Sequence, residues 1–203
     1  MTIQERIAAK ALELFNDKGI EYVGMRELAA SLDTKLGNIT YYFPTKEDLI
    51  LQVSANLSEA NSAILRIDEA ITIKSYLEMT RKHFECQYQF RCVFLSFVHL
   101  KNQYAKLAVR YKKTEEQRKK TARMNIEHLV HNKYLRKLTS AEMEFLLSAL
   151  SLLSRFWISE AAISSGKLKP SDQIQHYLGL LANILLPYCS EKGKNELAEF
   201  LDK

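Results

Sequence analysis

Residues 26–49 read RELAASLDTKLGNITYYFPTKEDL, and the placement of apolar residues within them decides how the chain folds. Leu28, Ala29 and Leu32 fall at i, i+1 and i+4, which gives a short helix one apolar face and leaves Arg26 and Glu27 toward solvent. Asp33-Thr34-Lys35 interrupts the pattern with a residue that tolerates left-handed backbone and a hydroxyl able to cap the next helix. A second short helix is expected from Leu36 to Tyr42, with Ile39 and Phe43 as its apolar anchors. Two short helices joined by a sharp turn are a helix-turn-helix. Phe43 is extended because it precedes Pro44, and Thr45 with Asp48 makes a capping box for a third, longer helix.

The second short helix spends few residues on the protein. Gly37 lets the backbone approach another surface, Asn38 carries the amide fork that suits adenine, and Tyr41 and Tyr42 can reach phosphates with their hydroxyls. Lys46 sits in a first helical turn, where a cation opposes the helix dipole, and a nearby phosphate would explain it. With Arg26, Lys35 and Thr40 these form the candidate contacts to double-stranded DNA.

At these residues the chain resembles a known family. GNITYYFPTKEDL, residues 37–49, is similar to the Gly-x-Ile/Leu-x-Tyr-x-Phe-x-x-Lys-Glu-x-Leu signature of the TetR family of bacterial transcriptional regulators. The likeness covers roughly the first fifty residues in register; the remainder matches in length and helical pattern. It implies a recognition helix in the major groove, with Tyr41, Tyr42 and Lys46 gripping phosphates. The chain departs from the commonest pattern with Asp33 for Gly, Lys35 for Ser or Thr, and Thr40 for Tyr.

Outside this stretch, a chain of 203 residues has room for a small DNA-binding module and one larger core. Six glycines, three prolines and no alternating β-branched run imply an all-α fold. The expected division is a three-helix DNA-binding domain over residues 1–46 and a larger helical domain for ligand sensing and dimerisation over 47–203. No basic-then-apolar leader and no run of eighteen apolar residues is present, so a cytoplasmic protein without membrane contact is expected. Cys86, Cys92 and Cys189 form no repeated CxxC pattern and are expected to be reduced packing thiols.

The net charge of +5 is unevenly spread. Residues 1–46 hold six Lys/Arg against six Asp/Glu, while residues 101–137 hold twelve Lys/Arg against Glu115, Glu116 and Glu127. The basic run RYKKTEEQRKK is therefore read as a solvated helix face, and the DNA argument rests on individually placed groups.

Thr2 with Glu5 caps a first helix that Gly19 ends, and it closes a small core of Ile7, Leu12, Phe15, Leu28, Leu32, Ile39 and Phe43. A fourth helix, from Lys46 to about Ile67, links the two modules mechanically. Residues 72–100 read as two helices separated near Gln89, the second rich in phenylalanine; a basic helix comes next, from Tyr104 to about Leu138. Thr139 with Glu142 opens a helix containing FLLSALSLLSRFWISEAAI, another begins after Gly166 and Pro170, and a short closing segment runs from Glu191 to Lys203 after Gly193. Two helices apolar nearly all round need a second apolar neighbour, which a twofold four-helix interface with a second copy supplies.

Polar groups set among aromatic neighbours need partners or a ligand. Arg91, Phe94, His99, Tyr104 and Trp157 are the candidate contacts to an unidentified small molecule, in a cavity bounded by the Phe90–Tyr104 segment, the basic helix and the Phe145–Ile163 helix. His128/His131 and His83/Cys86 have paired-ligand spacing, but two ligands do not make a site, so neither a metal nor a cofactor is expected. No HExxH, paired acidic motif or Gly-rich phosphate loop is present, so no catalytic residue and no enzyme activity is expected. The reading is a homodimeric, sequence-specific transcriptional regulator, a repressor released from an inverted-repeat operator by a ligand. The alternative is a DNA-binding regulator or architectural protein controlled by a protein partner or by no ligand.

Overall fold

A computed structural model describes residues 1–164 and 168–201; the expectations that fall on Gly166 and Lys203 lie outside them. The described residues form helices, with no strand among them, in the order α1 (Ile3–Lys18), α2 (Met25–Ser31), α3 (Leu36–Tyr42), α4 (Lys46–Ile64), α5 (Ile73–Gln89), α6 (Arg91–Leu95), α7 (Phe97–Gln103), α8 (Ala105–His131), α9 (Ser140–Ser164), α10 (Pro170–Leu185), a 3-10 turn (Leu186–Tyr188) and α11 (Glu191–Leu201). They group into two compact units, each discontinuous in sequence: Met1–Ala60 with Gln89–Lys112, and Asn61–Tyr88 with Lys113–Lys203.

In the first unit the capping box at Thr2 and Glu5 is formed, and Gly19 closes α1 with φ +94°, its N–H donating to the Phe15 carbonyl. Ala11 and Ile39 are fully buried, and Ile7, Phe15, Leu28, Leu49 and Phe43 surround them. Leu12 and Leu32, expected in this core, are only half-buried; Ala8, Ile20, Val23 and Ala29 pack there as well. The phenylalanine-rich segment is two short helices instead of one, broken at Ser96, whose φ of −97° and ψ of 9° leave the helical region.

In the second unit the loop between α4 and α5 has no regular structure and is held by asparagine amides from α8 and the turn that follows it. Asn125, almost wholly buried, accepts from the Asp68 N–H at 3.1 Å and donates to the Arg66 carbonyl at 2.9 Å. Asn132 donates to the carbonyls of Glu69 and Ile71. The Thr139/Glu142 capping box opens α9, and Arg136 forks onto the Glu142 carboxylate at 2.7 and 3.2 Å. That hydrogen bond pulls the Glu142 pKa down to about 2.

Leu135 pairs with Cys189 through an isolated antiparallel bridge, and the Ser190 hydroxyl accepts from the Gly193 N–H at 3.1 Å. The closing helix begins at Glu191, so Gly193 lies inside its first turn and does not precede it. The reason is space: a Cβ on Gly193 would stand 2.1 Å from the Tyr134 carbonyl oxygen and 3.3 Å from the Cys189 Cβ. Gly193→Ala must push α11 off this bridge and should cost about 3 kcal/mol, read as a lower urea midpoint with an unchanged slope.

Candidate nucleic-acid interface

The turn between α2 and α3 is made by backbone. Asp33 adopts φ +49°, the left-handed conformation its short polar side chain tolerates, and the N–H of Thr34 returns to the Ala29 carbonyl at 3.0 Å. Thr34 is not the cap that its hydroxyl suggests. Lys35 occupies that position with extended backbone and no side-chain hydrogen bond, and the Thr34 hydroxyl instead accepts from the Asn38 amide at 2.8 Å. The Thr40 hydroxyl is turned back onto the Leu36 and Gly37 carbonyls.

Six of the eight expected contact residues lie on α3 or at its N-cap. Ile39 is fully buried and Phe43 is 2% exposed, and these two hold the helix against the core. Lys35, Gly37, Asn38 and Tyr41 are exposed, with Thr40 and Tyr42 half-buried; Arg26 is exposed on α2. A Cβ built on Gly37 would meet nothing within 4 Å, so the backbone there is open to an approaching surface. Tyr41 stands edge-on to Tyr42, ring centroids 5.0 Å apart. The result is a short helix whose outer face offers an amide, hydroxyls and one lysine, the chemistry of base edges and phosphates.

Lys46 is half-buried, and its ammonium donates to the Glu21 carbonyl at 3.2 Å. Burial lowers its pKa, against the opposing charge of the Glu21 carboxylate. Burial also works against the Glu21 carboxylate, but a hydrogen bond from Ser96, its own N–H and the charges of His99 and Lys46 hold its pKa below the ordinary value. Ile20, Glu21, Lys46, His99, Gln103 and Tyr104 line a small cleft here.

The five candidate ligand contacts fall in both units, four in the first and Trp157 in the second. His99 and Tyr104 line the cleft beside Lys46, whereas Arg91 donates to the Asn16 carbonyl at 3.3 Å and Phe94 is buried in the same unit. Trp157 belongs to the second unit, 2% exposed, its indole N–H donating to the Gln87 side-chain carbonyl at 2.5 Å. Sequence reasoning missed Asn16, whose amide donates to the Gln89 carbonyl at 2.7 Å and accepts from the Cys92 N–H at 3.1 Å. It thereby ties α1 to the start of α6. No local signal marks it, because its partners lie 73 and 76 residues away.

Comparison with known proteins agrees with this geometry. A family model described as bacterial regulatory proteins, tetR family, matches residues 7–53, and one described as bacterial transcriptional repressor matches residues 55–197. A TetR-family transcriptional regulator from Marinobacter aquaeolei VT8 is similar over 100% of this chain and 98% of its own, with a TM-score of 0.89 and 18% identity. A regulator from Saccharomonospora viridis, solved in complex with choline, has a TM-score of 0.69 and 20% identity over 91% of this chain and 95% of its own. A TetR regulator from Haloarcula marismortui ATCC 43049 has a TM-score of 0.71 and 12% identity over 92% and 98%. No curated protein matches the chain by sequence.

The left-handed residue of the turn gives a direct test of how the interface is held. Asp33→Val should destabilise the first unit by roughly 1–2 kcal/mol, since a β-branched side chain resists positive φ, while Asp33→Gly should leave stability the same or raise it. Thermal unfolding of the two variants beside the parent chain checks the order.

Proposed function

The chain belongs to the TetR family of DNA-binding bacterial transcriptional regulators, and from that premise we propose that it is a homodimeric, sequence-specific repressor released from its operator by a small molecule. The observation that carries this reading is the outer face of α3, polar and open while Ile39 and Phe43 anchor the helix from within. On this reading residues 1–46 bind DNA in the cytoplasm and residues 47–203 sense and pair. Asn38 reads a base edge, Arg26, Lys35, Gly37 and Thr40 lie against the duplex, and Tyr41, Tyr42 and Lys46 hold phosphates.

Pairing is supported by α9. This helix is long and apolar enough to cross a membrane, with an 18-residue stretch of mean hydropathy 1.3, yet only 28% of that stretch is buried within the chain. Phe145, Leu152 and Ile163 recur along one side and are 64%, 61% and 86% exposed. A DNA-binding protein covers such a stripe most economically with its own copy, and a twofold pair sets the two recognition helices for an inverted repeat. The choline complex is a property of the Saccharomonospora viridis protein; it supports, for this chain, only that a fold of this kind accommodates a small molecule. To weaken DNA binding a hundredfold the ligand must favour the non-binding state by about 2.7 kcal/mol, with α4 carrying the change to the recognition helix.

Sedimentation should show a dimer for the parent chain and a monomer with much reduced DNA affinity for Phe145→Glu/Leu152→Glu. A parent chain that sediments as a monomer, or that partitions into lipid vesicles, would end the pairing argument. Footprints should show two half-sites with centres about 34–36 Å apart or a multiple of that. Lys46→Ala should weaken binding on all sequences and reduce the salt slope by about one, whereas Asn38→Ala should cost roughly 1–3 kcal/mol at one base position and relax choice there. Equal, sequence-independent losses for both would contradict this division.

A further inference from the structure

Four side chains of the second unit form one hydrogen-bonded chain. The Trp157 indole N–H donates to the Gln87 Oε1 at 2.5 Å; the Gln87 amide nitrogen lies 2.9 Å from the Ser154 carbonyl and 3.0 Å from His83 Nε2; His83 Nδ1 lies 2.9 Å from Asn61 Oδ1. Asn61, His83, Gln87 and Trp157 are all buried, between 2% and 6% exposed.

Only one sense of this chain is consistent. An indole nitrogen donates and never accepts, so Gln87 must present its oxygen to Trp157 and its NH2 to Ser154 and His83. His83 Nε2 must then be bare, which leaves the proton on Nδ1, donating to Asn61 Oδ1. The reverse sense would set N–H against N–H at Gln87 and Trp157. Burial, with the positive charge of Arg118 adding to it, lowers the His83 pKa to about 3, so the ring is neutral and has one proton to give. The Asn61 carbonyl is thereby consumed, and its amide nitrogen, enclosed and carrying two N–H groups, has no partner. A buried donor without an acceptor is costly, and native interiors rarely keep one without a use.

We propose that the Asn61 amide is the anchor of a small-molecule site in the second unit, taking a neutral ligand that presents a carbonyl-type acceptor on an apolar body. The inference rests on the ligand-release reading above and names its ligand class. The chemistry is set by the surroundings. A donor asks for an acceptor, and the enclosure of the amide, bonded to a His83 ring that stands 6.2 Å from Phe84, favours an apolar body. A cation finds no acceptor at Asn61 and is repelled by Arg118, and an anion would have to be stripped of water. Arrival of the acceptor polarises the whole chain, so Trp157 reports it.

The test uses the full chain and four matched probes: acetophenone, ethylbenzene, benzoate and benzyltrimethylammonium. Nitrogen-15 spectra track the Asn61 side-chain amide and the Trp157 indole during titration. Acetophenone should shift both signals saturably and bind about tenfold more tightly than ethylbenzene, and Asn61→Leu should remove that preference. The spectra of the parent chain decide the matter if the variant fails to fold. Equal binding of acetophenone and ethylbenzene, tighter binding of either ion, or an unmoved Asn61 amide would overturn the site. DNA affinity measured alongside separates the two readings: binding at Asn61 without loss of DNA affinity keeps the site and counts against release. A compound that releases DNA while leaving the Asn61 signals in place keeps release and overturns the site.

Discussion

A helix of seven residues does not hold its shape in water, and α3 is such a helix. It persists because Ile39 and Phe43 are driven into the core made by α1 and α2, and every exposed group on its outer face is placed by those two anchors. The economy is strict. An apolar residue moved to the outer face would leave the helix unanchored, and a further polar one would leave nothing to bury. The turn that precedes it must then be compact, which is why Asp33 accepts a left-handed conformation and why backbone, with no side-chain cap, closes the bend. On the proposed reading, the DNA-reading surface is thus the part of the helix left over once it has been held in place.

The irregular parts of both units are held by a different means. Backbone groups that lose helical partners must find others, and here asparagine amides supply them: Asn16 at the start of α6, Asn125 and Asn132 along the loop before α5. Each uses donor and acceptor, or donates twice, on main-chain groups. Asn61 differs from these three, because its oxygen is taken by a side chain and its nitrogen by nothing among the described residues. The contrast gives Asn61 its interest.

The parts of this structure that were legible in the sequence are those whose partners lie close along the chain. The pairs Thr2/Glu5, Thr45/Asp48 and Thr139/Glu142 are each three residues apart, and all three make the expected reciprocal hydrogen bonds. The α3 boundaries were set by two anchors and one Pro44. Legibility failed where the deciding neighbour is distant. The break at Ser96 goes with a hydrogen bond to Glu21, the burial of Gly193 with the Tyr134 carbonyl, and the use of the Trp157 indole N–H with a bond to Gln87. A polar head among aromatic neighbours signals that a partner exists, without saying whether that partner is a ligand or another part of the fold.

Charge adds the last constraint. With six basic and six acidic residues in the first 46, a DNA-binding module of the proposed extent has no net attraction for a polyanion, so on that reading affinity must come from a few cations in fixed places. Lys46 fits that requirement: its ammonium is half-buried and already leans on the Glu21 carbonyl, so its stem is positioned before any phosphate arrives. On the proposed reading, binding exchanges a neutral acceptor for an anionic one and orders little new chain. A module built this way gains less from counterion release than a basic one does, and the balance must come from base contacts on α3 and from holding two copies at once. Neutrality therefore weakens indiscriminate binding more than it weakens binding at the correct site.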